Sequence, residues 1–168
     1  MQINVAQLLK EGVGSTRSFE FADVLQVDSC QVNVHADLTL LRLKRSVLVT
    51  GRADARTGQT CSRCLREFEL TLPLKIEEEF VQSIDVESGL PLEVAAEPDT
   101  FTIDEKHIID ISEALRQYLI LALPMKPLCQ PDCPGLCPVC GRDLKEAECG
   151  CNRDTGDARW AALRELLR

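Results

Sequence analysis

Residues 32–55, VNVHADLTLLRLKRSVLVTGRADA, decide the fold that we predict for this chain. From Val32 to Leu40, apolar residues alternate with polar ones, and this period of two is typical of a β-strand with one buried face. The polar residues 44–46 indicate a turn, and a second strand is predicted to start at Val47. The segment is therefore predicted to form an antiparallel hairpin.

The alternation returns downstream of the hairpin, at residues 67–76, and predicts a third strand. Pro73 has no backbone N–H, so this strand is expected to lie at a sheet edge or to carry a bulge. Residues 82–100 are acidic and contain Gly and Pro, which indicates a loop. Apolar residues at helical spacing predict a helix over residues 110–123, and Pro124 ends it.

Composition limits the classes of protein to which the chain can belong. It has 168 residues, a formal net charge of −8 and 45% hydrophobic residues, enough for one packed domain with a small appendix. The acidic total argues against a protein that binds nucleic acid over its whole surface. Five Phe, one Tyr and one Trp are too few for a broad base-stacking platform.

The sequence begins MQINVAQLLKEG, which has neither a basic region nor a long apolar run, so we expect no secretory signal. The longest apolar stretch, Tyr118–Met125, is far shorter than the roughly 18 residues of a membrane span. We therefore expect a soluble intracellular protein without a membrane partner. Thiols stay reduced in the cytosol, so paired cysteines there indicate metal or catalytic chemistry before disulfides.

Eight of the nine cysteines form four close pairs, and such pairs let a tight turn supply two thiolates to one zinc ion. The four cysteines between residues 137 and 151 are predicted to hold one zinc, and the other two pairs to join a second site across the chain. Other pairings remain open, because spacing does not determine connectivity. The predicted ligands are Cys61, Cys64, Cys129, Cys133, Cys137, Cys140, Cys149 and Cys151.

Two further residues complete the cysteine pattern. Gly141 follows the CPVC pair, where the turn needs a positive φ angle or unhindered N–H groups that face the sulfurs. Cys30 has no partner in the sequence and is expected to be a small buried apolar residue.

These elements predict an α+β fold: a twisted antiparallel sheet, a packed helix and a C-terminal zinc-knuckle segment. Two domains are predicted, a core of residues 1–126 that includes the CSRC pair and a cysteine-rich segment of residues 127–168. The cysteine-rich segment lacks apolar periodicity and needs a metal to hold it. It is predicted to end in a helix that starts at Asp157 and carries Trp160 on its apolar stripe.

The zinc sites are not expected to be catalytic. A catalytic zinc keeps an open position for water, whereas four thiolates at each site leave none. The sequence also lacks HExxH, a nucleophile elbow, a Walker loop and the zinc-deaminase signature. A redox dithiol remains an alternative, but such motifs open a helix in a βαβ unit, whereas Cys61 follows a predicted strand.

The charge is unevenly distributed. Residues 42–66 contain seven basic residues and one acidic residue, whereas residues 67–113 contain two basic and fourteen acidic residues. The basic segment is a candidate face for RNA phosphates. The alternative is that its side chains are solvated and pair with the acidic strand. The candidate RNA-binding residues are Arg42, Lys44, Arg45, Arg52, Arg56, Arg63 and Arg66.

Four motifs resemble the YceD family of large ribosomal RNA subunit accumulation proteins. They are CSRCLREFE after the hairpin, LILALPMKPLC, CPGLCPVCGRDLKEAECGC and DARWAALREL. The resemblance covers the chain from about Phe19 onward. It implies a bacterial cytoplasmic protein, or a plastid relative, that is needed for the accumulation or processing of 23S rRNA. Cys61, Arg63 and Cys64 match the CxRC motif of the family, and no catalytic residues are implied.

We therefore expect a noncatalytic factor with two zinc ions that assists large-subunit assembly. Its partners would be 23S rRNA or a precursor large subunit, with no small-molecule substrate. One alternative is a zinc-ribbon adaptor that binds a basic ribosomal protein without touching RNA. The other is a zinc protein that releases its metal when Cys61 and Cys64 oxidise.

Overall fold

The computed structural model describes residues 1–27, 30–92 and 100–151, and these residues form mostly β-sheet. The elements in these ranges are β1 (Gln2–Asn4), α1 (Ala6–Lys10), β2 (Thr16–Val27), β3 (Cys30–Arg42), β4 (Ser46–Thr60), β5 (Glu67–Gln82), β6 (Phe101–Ile103), β7 (Ile108–Asp110) and α2 (Ser112–Ala122).

The chain divides into two compact units. The first contains Met1–Gln59 and Glu69–Met125, and the second contains Thr60–Phe68 and the residues from Lys126 onward. The CSRC pair therefore groups with the later cysteines in the second unit. The division into a core domain of residues 1–126 and a cysteine-rich domain of residues 127–168 stays a prediction.

The first unit is built on a five-stranded sheet of order β2-β3-β4-β5-β6. The predicted hairpin is confirmed: β3 and β4 are antiparallel, from Asn33 opposite Arg56 to Arg42 opposite Val47. The turn between them is closed by the Leu43 N–H, which donates to the Ser46 carbonyl oxygen at 2.9 Å.

The sheet is mixed: the predicted antiparallel pairing is confirmed for β2, β3 and β4, but it is wrong for β6. β6 pairs with the end of β5 in the parallel sense, with Phe80 opposite Phe101 and Gln82 opposite Ile103. A parallel neighbour requires a long connection, and residues 83–100 provide it. Pro73 lies in the part of β5 beyond these paired residues, in agreement with its expected place near an edge.

The core of the first unit lies on one face of this sheet. The alternating residues from Val32 to Leu40 are at most 3% exposed, as the period of two predicts. Helix α2 covers this core with Ala114, Leu115 and Leu119, which are buried at helical spacing. Neither helix in the described ranges has the length and apolarity of a membrane span.

A small second sheet pairs β1 with β7, from Gln2 opposite Asp110 to Asn4 opposite Ile108. Strands of three residues are too short to show a period, so the sequence did not predict them. Cys30, expected to be buried, is exposed at the start of β3. The predicted helix from Asp157 lies outside the described residues.

Candidate metal centres

The first cysteine cluster joins two distant segments of the second unit. Cys61 and Cys64 meet Cys129 and Cys133, and all four sulfurs lie within 4.8 Å of one another. The Sγ atoms of Cys61 and Cys133 are 3.8 Å apart, and those of Cys64 and Cys129 are 3.7 Å apart. Four sulfurs around a tetrahedral zinc, each about 2.3 Å from the metal, are separated by roughly 3.8 Å. The spacing therefore fits one zinc ion.

The second cluster is local in sequence. The sulfurs of Cys137, Cys140, Cys149 and Cys151 also lie within 4.8 Å of one another. The pairing predicted from the sequence is thus the one in which the structure brings the sulfurs together. All nine cysteines are described, and none of them forms a disulfide.

The CSRC and CPVC turns have the same backbone hydrogen bonds. In the first turn the Cys61 N–H donates to the Arg66 carbonyl at 2.8 Å, and the Leu65 N–H donates to the Cys61 carbonyl at 2.9 Å. The second turn repeats both bonds, from Cys137 to Arg142 and from Gly141 to Cys137, at 2.8 and 2.9 Å. Other backbone N–H groups bond the first sulfur of each turn: those of Arg63 and Cys64 bond Cys61, and those of Val139 and Cys140 bond Cys137.

The residue after the second cysteine has a left-handed backbone in both turns. Gly141 has φ +71°, as predicted for this position, and Leu65 takes the equivalent place with φ +60°. A left-handed backbone strains residues that have a Cβ atom, and β-branched residues most of all. The sequence identified this position only where glycine occupies it.

We expect Gly141→Val to destabilise the second unit by about 1–2 kcal/mol, because valine is strained at this φ angle. The matched variant Leu65→Gly places glycine at the equivalent position of the other turn. It is expected to be nearly neutral, because relief of strain offsets the entropy that glycine loses on folding. Chemical denaturation of the zinc-loaded proteins checks both values. Equal losses for the two variants would contradict this account of the turns.

In the first cluster the pKa values of two thiols are shifted in opposite directions. Burial disfavours the Cys61 thiolate, but the backbone N–H groups of Cys129, Cys64 and Arg63 outweigh burial and lower the pKa of Cys61 to about 6. Burial, followed by the neighbouring thiols of Cys133 and Cys64, raises the pKa of Cys129 to about 12. One thiolate forms readily, whereas the complete set of four needs a cation to balance its charge.

The second cluster shows the same contrast. The backbone N–H groups of Cys140 and Val139 lower the pKa of Cys137 to about 6. The Cys140 thiol, followed by burial, raises the pKa of Cys151 to about 12. Both donor sets therefore fit a soft divalent cation that accepts four thiolates, as zinc does.

The two clusters differ in their surroundings. Cys61, Cys64 and Cys133 are buried and pack with Phe68 and Leu128 in a small apolar core. In the second cluster Cys140 is exposed, whereas Cys137 is buried. The first cluster is therefore the better shielded of the two.

Two of the candidate RNA-binding arginines instead make contacts within the second unit. Arg63 donates from Nη1 to the Cys133 carbonyl oxygen at 2.9 Å. Arg66 forms ion pairs with Asp143, at 2.8 Å, and with Glu146. Each arginine thus links the CSRC turn to the later cysteine segment. This role could not be predicted from the sequence, because the acidic partners of Arg66 lie about 80 residues further along the chain.

The other basic candidates lie in the first unit, at two places. Lys44 and Arg45 are exposed in the β3–β4 turn, next to Arg42, whose Nε atom is buried without a hydrogen-bond partner. Arg52 and Arg56 are exposed on β4, on either side of the exposed Asp54.

A third group that could ligate metal lies on the exposed side of the sheet. One potential ligand atom from each of Glu20, His35 and Asp37 lies within 4.8 Å of the other two. The Nε2 atom of His35 is 3.3 Å from the Glu20 carboxylate. All three residues are exposed. Their arrangement is an ordinary polar sheet face, as expected for His35 from its place in the alternating pattern.

A family model, described as large ribosomal RNA subunit accumulation protein YceD, matches residues 49–167. The matched region contains all eight clustered cysteines. No solved structure matches the chain significantly.

Similar proteins occur in bacteria and in a plant. An uncharacterised protein of Mycobacterium tuberculosis is 36% identical over 133 residues, which are 78% of this chain and 60% of that protein. An uncharacterised protein of Mycobacterium leprae is 29% identical over 134 residues, which are 80% of this chain and 59% of that protein. The chain thus spans about three fifths of the length of these relatives.

A plant relative carries a functional name. It is the large ribosomal RNA subunit accumulation protein YCED homolog 1, chloroplastic, of Arabidopsis thaliana. It is 33% identical over 58 residues, which are 34% of this chain and 18% of that protein. Because the family model covers well over half of the chain, the chain belongs to the YceD family of large ribosomal RNA subunit accumulation proteins.

Proposed function

We propose that this protein is a noncatalytic, zinc-binding factor that supports the accumulation or processing of 23S rRNA during assembly of the large ribosomal subunit. The observation that carries the proposal is the family match over residues 49–167, which includes both four-cysteine clusters. The bacterial cytoplasm is the compartment in which such a factor would act.

Zinc would serve to organise the second unit. This unit contains the short segment Thr60–Phe68 and the later cysteine segment, which are far apart in the sequence. The Ser62 N–H donates to the Pro127 carbonyl at 2.8 Å, and the Leu136 N–H donates to the Arg63 carbonyl at 3.2 Å. A zinc ion on Cys61, Cys64, Cys129 and Cys133 would fix the ends of these contacts.

The absence of catalysis is part of the proposal. Each cluster offers four thiolates, which fill a tetrahedral zinc and leave no position for water or substrate. Arg66, which lies near Cys64 of the first cluster, is already paired with Asp143 and Glu146. The donor sets therefore favour structural zinc.

Contact with RNA would involve fewer basic residues than the seven candidates predicted from the sequence. Lys44 and Arg45 are the best suited to contact RNA, since both are exposed in one turn. Arg52 and Arg56 flank Asp54, which weakens their attraction for phosphate. Arg66 is neutralised by its acidic partners.

Depletion of the protein in its host tests the proposed function. We expect the ratio of 23S to 16S rRNA to fall and large-subunit precursors to accumulate on sucrose gradients. The wild-type gene and a Cys30→Ser gene should restore both. A gene with Lys44→Glu and Arg45→Glu should restore them less well, because the charge reversal repels phosphate.

The control is a gene with Lys75→Glu and Lys106→Glu, which reverses two exposed charges outside the β3–β4 turn. It should complement like wild type. An unchanged rRNA ratio after depletion would reject the rRNA function. Equal complementation by both double variants would reject the β3–β4 turn as the RNA-contacting surface.

A further inference from the structure

The main sheet has a long edge at β2, which spans Thr16–Val27. Within the described residues, β2 has β3 as its single neighbouring strand, paired from Thr16 opposite Leu41 to Val27 opposite Cys30. An edge strand presents unpaired N–H and C=O groups that can bind an additional strand. Proline commonly blocks such edges, but β2 contains none.

Of the cavities that border β2 in the described residues, two also contact β1 or the start of α2. One, of about 420 Å³, is lined by residues of β1 and by Phe19–Asp23 of β2. The other, of about 490 Å³, is lined by Asp23–Gln26 and by the start of α2. Both cavities are lined by Asp23, so together they border the edge of β2 from Phe19 to Gln26.

The side chains along β2 alternate between two surfaces. Phe19 and Phe21 are half-buried and pack against the core in the same row as the buried Leu25. Asp23 occupies this inward row, yet it is exposed. Glu20 lies on the opposite, solvent-facing row. The edge therefore combines an apolar row, interrupted by one carboxylate, with a second carboxylate on the outer surface.

Within the described residues, these two carboxylates are not paired with lysine or arginine. The Asp23 side chain accepts a hydrogen bond from the Val24 N–H at 2.8 Å, and the Glu20 carboxylate lies 3.3 Å from the Nε2 atom of His35. No lysine or arginine in the described ranges forms an ion pair with either carboxylate. Arg116, which lines the second cavity, is paired with Glu113 at 2.7 Å.

We propose that the β2 edge binds an extended basic segment of a partner protein, which adds to the sheet as an antiparallel strand. Main-chain hydrogen bonds would supply affinity, and alternate side chains would supply specificity. Apolar residues of the segment lie opposite Phe19 and Phe21, and lysine or arginine lies opposite Glu20 and Asp23. From its N-terminus, the segment has the order basic, any residue, apolar, basic, apolar.

This inference does not depend on the proposed rRNA function. It concerns a protein partner, because carboxylates at the edge repel the phosphates of a nucleic acid. It identifies the partner by its chemistry alone: an extended segment in which positive charges alternate with apolar residues.

The probe for the test is a fluorescent nine-residue peptide whose central residues are lysine, threonine, valine, lysine and valine. Anisotropy titration of the zinc-loaded protein should show saturable binding. Asp23→Lys should weaken binding by at least about tenfold, because it replaces attraction with repulsion. Asp23→Asn, which keeps the size of the side chain, should weaken it less. The matched control Glu69→Lys reverses the charge of an exposed carboxylate on β5 and should change binding by less than about twofold.

Two N-methylated peptides test for strand addition itself. Methylation of one alternate set of amides should abolish binding and methylation of the other should not, because only one set faces β2. Several outcomes would overturn the proposal: no binding to the wild-type protein, equal binding of both methylated peptides, or equal effects of Asp23→Lys and Glu69→Lys. Displacement of the peptide by an RNA oligonucleotide of similar length would identify the edge as an RNA site instead.

Discussion

Replacing Cys61 with serine is expected to reduce the bound zinc from two ions per chain to one and to loosen the second unit. Serine keeps the size of the side chain but offers a poor ligand to zinc. We expect the affinity of the first cluster for zinc to fall by more than about 100-fold, since loss of a supporting residue alone costs 10–100-fold.

The structural consequence follows from the position of Cys61. Its side chain is fully buried among Cys64, Cys133 and the apolar residues Phe68 and Leu128. The cluster also ties together segments that are about 65 residues apart in the sequence. A crosslink across so long a loop restricts the unfolded chain more than a crosslink between neighbours does. Loss of this zinc should therefore expose the second unit to proteolysis.

The second cluster supplies the informative comparison. Cys140→Ser should also leave one zinc per chain, but its cluster is local in sequence and Cys140 is exposed. The contacts of Thr60–Phe68 should then survive, and proteolysis should be confined to the C-terminal cysteine segment. Elemental analysis with limited proteolysis distinguishes the two variants.

Cys30→Ser is the matched control, because Cys30 is exposed and lies outside both clusters. It should retain two zinc ions and the wild-type digestion pattern. Two zinc ions in Cys61→Ser, or none in the wild-type protein, would refute the assignment of the first cluster as a zinc site.

The two cysteine clusters could be predicted from the sequence because closely spaced pairs of cysteines are typical of zinc sites. The residues that support them could not. Arg66 was assigned to an RNA-binding face because its neighbours in the sequence are basic, whereas its charge is satisfied by Asp143 and Glu146. In the second turn Gly141 indicated the positive φ angle, whereas in the first turn Leu65 occupies the equivalent position and its residue type does not indicate such an angle.

The fold, like the clusters, could be predicted where it depends on residues close together in the sequence, and could not where it depends on residues far apart. The period of two identified the central strands, since it records which face of each strand is buried. β6 pairs in the parallel sense because of the path that the long connection from β5 takes. The pattern of apolar residues does not indicate that path. Cys30 was expected to be buried because of its residue type. It shares the row of the buried Val32 and Val34, but it is the first residue of β3 and is exposed there.

Gly51→Ala is expected to cause the largest loss of stability in the first unit, about 3 kcal/mol or more. Gly51 lies on β4, opposite Leu38 of β3. An added Cβ atom would lie 2.1 Å from the Asp37 carbonyl oxygen and 2.9 Å from the Leu38 Cα atom. Both are backbone atoms, so the conflict cannot be relieved by a side-chain rotation, and the two central strands must move apart.

Gly58→Ala is the matched control, because Gly58 lies on the same strand and an added Cβ atom there meets nothing within 4 Å. This change should be neutral or stabilising by up to about 1 kcal/mol, since alanine restricts the unfolded chain more than glycine does. Urea denaturation at constant zinc concentration measures both free energies of unfolding. Equal effects of the two substitutions would show that the approach of β4 to β3 at Leu38 does not require glycine. A selective loss at Gly51 would show instead that this contact fixes the spacing of the two central strands and hence the rows of residues that form the core.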